Sequence, residues 1–92
     1  MRIRWSHGAE DQRDKAKLEQ PSPARLLRLE RKLRKVLEQL EMFPESAPPF
    51  ADYGRPDIRM IPVEEYRMSY MLVDDEIIII SFVPARSSSA HD

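Results

Sequence analysis

The sequence predicts an α+β domain of order β-α-α-β-β-β, a helical hairpin packed on a four-stranded, mostly antiparallel sheet. Three observations carry this expectation. The opening MRIRWS alternates apolar and cationic residues. An apolar stripe of helical period runs through residues 23–43. Three apolar segments, DIRMIPV, EYRMSYMLV and EIIIISFV, follow a proline-rich connection.

In the opening strand, Met1, Ile3 and Trp5 fall on one face and Arg2 and Arg4 on the other, the pattern of a half-buried strand. Residues 8–20, GAEDQRDKAKLEQ, permit a helix but are strongly polar: only Ala9, Ala16 and Leu18 are apolar. A lone helix of that length is marginal in water, so packing must hold it. PSP at 21–23 then breaks the chain. Ser22 is placed to N-cap the next helix, with Pro23 at its first position, where a missing N–H costs nothing.

In that second helix Leu26, Leu29, Leu33, Val36, Leu40 and Phe43 recur at spacings of three and four, and Leu37 widens the stripe. Arg34–Glu38 and Glu30–Arg34 stand at i,i+4, and Pro44 ends the helix. Residues 44–57 form the proline-rich connection, in which Phe50 and Tyr53 are expected to pin the loop. The last two strands read as a hairpin about Asp74-Asp75; with no glycine there, a tight turn is disfavoured and a longer loop expected. Pro62 suits an edge strand, since an interior strand would miss its N–H.

A hairpin centred on Asp74-Asp75 puts Tyr66, Met68, Tyr70, Leu72, Ile77, Ile79 and Val83 on the face meeting the helices. Trp5, Tyr66 and Tyr70 then read as core. The other face shows Arg67, Ser69, Met71 and Val73 beside Ile78, Ile80 and Phe82. That face is half apolar with no helix assigned to cover it, the character of an interaction site.

Composition sets the outer bounds. At 92 residues the chain is one domain, expected over residues 1–86 with a loose tail at 87–92, and its margin of stability is thin. Apolar residues at 41% and charged residues at 34% mark a globular chain. With no cysteine there is no disulfide framework or thiolate metal site, which fits the reducing cytosol. No apolar run approaches a membrane span, and MRIRWSHGAED is not the pattern of a signal peptide. His7 and His91 are far apart with no carboxylate spacing to suggest a metal, so no cofactor or metal is expected. Net charge is −1, yet residues 25–35 hold Arg25, Arg28, Arg31, Lys32, Arg34 and Lys35 against Glu30 alone. That stripe reads either as a solvated face or as an attraction for an acidic partner.

The opening MRIRWS, the string LEQLEMFPE at the end of the second helix, IRMIPVEEYRMSYMLVDDEIIIISFV and the terminal PAR together resemble the RelE/ParE toxin family of bacterial type II toxin–antitoxin systems. The resemblance implies a sheet of spatial order 1-4-3-2. It also implies a cognate antitoxin that wraps the toxin and covers the second sheet face, or the groove beside it, with Met71, Ile78, Ile80 and Phe82 as its contacts. RelE-like members cut mRNA on the ribosome, and ParE-like members act on DNA gyrase. The RNase branch commonly uses lysines and a C-terminal tyrosine for proton transfer, and cleavage of that kind needs positioned acid–base groups. Here no lysine follows Lys35 and no tyrosine follows Tyr70. The ParE-like reading therefore leads: a gyrase-directed toxin, with Arg67, Arg86 and Arg59 as target-binding cations and no catalytic set. Two other readings stay open, an RNase with a reduced catalytic set and a non-toxic, antitoxin-binding member. For Arg67 itself the plain alternative is structural, as an anchor for the following loop or a partner of Glu64 or Glu65.

Overall fold

In a computed structural model of the chain, residues 1–47 and 57–85 are described. The elements are β1 (Arg2–Trp5), α1 (His7–Leu18), α2 (Pro23–Met42), β2 (Ile58–Val63), β3 (Tyr66–Val73) and β4 (Glu76–Pro84). They form one sheet of order β1-β4-β3-β2, in which β1 runs parallel to β4 and the other pairs are antiparallel. Both helices lie on one face. Pro62 stands on the edge strand β2, where its lack of an N–H is harmless.

Each helix start is chemically marked. The Ser6 hydroxyl accepts from the Ala9 N–H (3.1 Å), and the Ser22 hydroxyl accepts from the Arg25 N–H (3.2 Å). The α2 stripe buries Leu29, Leu33, Val36 and Leu40. Phe43, expected to end that stripe, instead lies 58% exposed, because it is the C-cap and its non-helical backbone carries the chain off the helix. The anticipated Glu30–Arg34 and Arg34–Glu38 pairs do not form. Glu30 reaches across the hairpin to Lys17 of α1 at 3.7 Å.

The polar α1 is held by a narrow seam. Ala9 and Ala16 are buried, and their small side chains let the helix lie close to the sheet. Gln12 and Gln20, on the same side, supply hydrogen bonds. The Gln20 Nε2 donates to the Tyr66 hydroxyl (3.0 Å) and to the Ala16 carbonyl (2.9 Å). Arg13 lies over the Trp5 ring, 4.6 Å from its centroid, a cation–π contact.

Two-residue turns join β2 to β3 and β3 to β4, since Val63 pairs with Tyr66 and Val73 with Glu76. The longer loop expected at Asp74-Asp75 is absent. Glu64 (φ 55°) and Asp74 (φ 54°) take up the left-handed backbone that such turns need. That conformation costs a non-glycine residue on the order of 1–2 kcal/mol, least for Asp, whose short polar side chain bonds locally.

The register of β3 and β4 departs from simple alternation at one place. Tyr70 pairs with Ile79 and Ser69 with Ser81, so Ile80 is an extra residue, a β-bulge. A one-residue insertion reverses which side chains face the helices beyond it. Phe82 therefore turns into the core (1% exposed), stacked on Tyr66 at 5.1 Å and 12°, while Val83 falls on the second face beside Arg67. This corrects the expected positions of both residues.

The bulge coincides with a change of neighbour along β4. The four residues of β1 pair only as far as Ile79, whose carbonyl accepts the Ser6 N–H (2.9 Å) as the chain turns into α1. Beyond that point β4 has no strand on this edge among the described residues. The Phe82 N–H is satisfied instead by the Gln12 side-chain carbonyl at 2.8 Å. A glutamine from the helix thus completes the ladder where the strand has ended.

Candidate functional site

The second face of the sheet carries Met60 from β2, Arg67, Ser69 and Met71 from β3, and Ile78, Ile80 and Val83 from β4. Met60, Met71, Ile78, Ile80 and Val83 are half-buried, and Ile78 pairs directly with Met71. Near the middle the apolar surface is interrupted by the paired Ser69 and Ser81. Ser69 is buried, and the shielded Ser81 hydroxyl has no hydrogen-bond partner among the described residues.

Cations stand at two ends of this face. At one end Arg2 and Arg4 of β1 share Glu76, at 3.8 and 3.5 Å. At the other, Arg67 pairs in register with Val83, and its Nη2 donates to the Ala85 carbonyl at 3.4 Å. The Ala85 N–H in turn donates to the Glu65 carbonyl at 2.8 Å. The end of β4 is therefore held between the β2–β3 turn and Arg67. Glu65 itself pairs with Arg25 of α2, so it is not Arg67's carboxylate partner.

The expected site residues divide accordingly. Arg67, Met71, Ile78 and Ile80 share the second face. Phe82 does not, being core. Arg59 alternates to the helix side of β2, opposite Tyr70, and cannot join Arg67 in one cationic patch. Its guanidinium bonds the carbonyl of Ala47 and reaches that of Glu45 (3.5 Å). The Tyr70 hydroxyl donates to the Pro44 carbonyl (2.9 Å), so the two residues together hold the start of the connection after α2. Burial pushes the Tyr70 hydroxyl above its ordinary pKa; a backbone hydrogen bond at Ala47 and the charge of Arg59 oppose that shift without cancelling it. Arg86, Phe50 and Tyr53 lie outside the described residues.

Among the described residues no histidine, lysine or tyrosine side chain shares the second face with Arg67. Tyr66 and Tyr70 point to the helices, where their hydroxyls are engaged. The face can grip an acidic or phosphate-bearing surface through Arg67 and bury apolar side chains beside it. The sequence reading overlooked Gln12 and Gln20, whose spacing with Ala9 and Ala16 marks the seam of α1.

A family model described as the ParE toxin of a type II toxin–antitoxin system, parDE, matches residues 3–88. The chain belongs to the ParE toxin family. It is thus a ParE-type toxin of a type II toxin–antitoxin system by family. The fold agrees with a solved structure titled as the chromosomal ParDE system from P. aeruginosa: TM-score 0.68 over 91% of this chain and 95% of that one, at 15% identity. No curated protein matches the chain. Among the described residues of this ParE-family chain, no helix is long and apolar enough to cross a membrane.

Proposed function

We propose that this ParE-family chain is a cytoplasmic toxin that inhibits DNA gyrase and is neutralised by a cognate antitoxin seated on the second face of the sheet. The observation that carries the reading is the arrangement at the end of β4. Arg67 is fixed on a half-apolar face, against the carbonyl of the residue that precedes Arg86. The planar guanidinium recognises carboxylate or phosphate by its geometry and needs no proton-transfer group beside it. Arg67 and Arg86 form the target-engaging pair; Arg59, on the opposite face, is left out. Met71, Ile78 and Ile80 supply apolar contact to the antitoxin, which folds onto the face as it binds.

A supercoiling assay with purified gyrase tests the reading. The chain alone should block supercoiling, and adding the product of the adjacent antitoxin gene should restore it. Intact supercoiling together with codon-dependent cuts in translated mRNA would instead establish the RNase reading.

A further inference from the structure

We infer that the outer face of α2 is a docking surface for an acidic protein segment bearing an aliphatic side chain, a site distinct from the second face of the sheet. Arg28, Arg31, Lys32 and Lys35 line an open groove of about 630 Å³ between α2 and the β2–β3 turn, where Glu64 forms the opposite wall. Leu27 lies in the same groove, 47% exposed.

The stripe is unfavourable to the free helix. Arg28 and Arg31, Arg28 and Lys32, and Arg31 and Lys35 are like charges at i,i+3 or i,i+4, spacings at which repulsion destabilises a helix. The first turn of α2 contains no acidic residue to complement the helix dipole. The segment's one carboxylate, Glu30, is drawn away to Lys17. Among the described residues no carboxylate pairs with Arg28, Arg31, Lys32, Arg34 or Lys35. An anionic partner in the groove would relieve all of these repulsions at once.

Two features select a protein segment over nucleic acid. The exposed Leu27 offers an apolar seat that a phosphate backbone would not fill. The cations are confined to one face of α2 while the whole chain carries a net charge of −1, so a long polyanion running past the stripe gains no further attraction, whereas a short acidic helix is matched by the stripe alone and leaves its uncharged side toward Glu64. The segment that fits is amphipathic, with Asp or Glu at helical spacing around one aliphatic residue. This proposal does not depend on gyrase being the toxin's target.

The test is fluorescence anisotropy with the full chain and a labelled synthetic helix carrying glutamates around a single leucine. A peptide with serine in place of that leucine and a duplex oligonucleotide of equal charge serve as competitors. The glutamate–leucine peptide should bind best at roughly 150 mM salt. Arg31→Glu should weaken it at least about tenfold, as loss of a charged hydrogen bond predicts. Leu27→Ser should weaken it about fivefold and abolish the preference for leucine over serine. Arg31→Glu should also raise the melting temperature of the free chain, because Arg31 is flanked by Arg28, Arg34 and Lys35. A purely structural residue would not lose binding while gaining stability. Tighter binding of the oligonucleotide, no binding of the peptide, or unchanged affinity in Leu27→Ser overturns the proposal.

Discussion

Replacing Gln12 by methionine should destabilise the domain through one orphaned N–H. The two side chains are similar in length and helix propensity, so α1 itself is little affected. What is lost is the carbonyl that accepts the Phe82 N–H at 2.8 Å. Phe82 is 1% exposed and β1 does not extend to it, so among the described residues no strand supplies another acceptor. A buried donor left unsatisfied costs about 1–3 kcal/mol. Against the roughly 5–15 kcal/mol typical of a domain, that is a large share. In a domain of this size each kcal/mol moves the melting temperature by about 4–8 °C, so a mid-range loss should lower it by about 10 °C. Gln12→Glu keeps an acceptor oxygen and should lose less than half as much. Thermal melts by circular dichroism give the stability change, and hydrogen exchange at the Phe82 amide locates it. If Gln12→Met melts with the parent and the Phe82 amide stays equally protected, the glutamine does not complete the ladder and the reasoning fails.

Three further outcomes follow from the register and the site. Phe82→Ala should cost about 3–5 kcal/mol as a core truncation, whereas Ile78→Ser should leave the melt near the parent and weaken antitoxin binding by isothermal titration; a near-parental melt for Phe82→Ala would remove the bulge. Arg67→Ala should reduce gyrase inhibition while circular dichroism stays native, and full inhibition by a folded variant would remove Arg67 from the target surface. Because burial raises the Tyr70 pKa in the fold, the protonated hydroxyl is favoured there. Its stabilisation is complete below the unfolded pKa of about 10 and is lost as pH rises through the folded value. Urea melts above that pH should fall more steeply for the parent than for Tyr70→Phe.

The fold was legible because its local signals agree with one another. The alternation in residues 1–6, the Leu29–Leu33–Val36–Leu40 stripe, Ser22-Pro23 and Pro62 each depend on the residue and its near neighbours alone. They sufficed for six elements in order, and the resemblance added the sheet order that the structure shows. The face of each residue at the far end of β4 was not legible. Residues 77–80 are all isoleucine, so the run carries no two-residue period, and an inserted residue leaves no mark in it. Only the pairing of β3 with β4 decided that Ile80 is the bulge and that Phe82, not Val83, enters the core. Arg59 shows the same limit. Its sequence neighbourhood resembles that of an exposed strand cation, but β2's register turns it toward the carbonyls of Glu45 and Ala47. What the sequence determined by itself was which segments form helix and strand, and where the charge concentrates on α2, since both follow from composition and spacing along the chain. Which arginines share a face was decided by the register of β2 on β3, and which apolar residues remain for a partner by the pairing of β3 with β4, because one bulge in an alternating strand reverses every side chain beyond it.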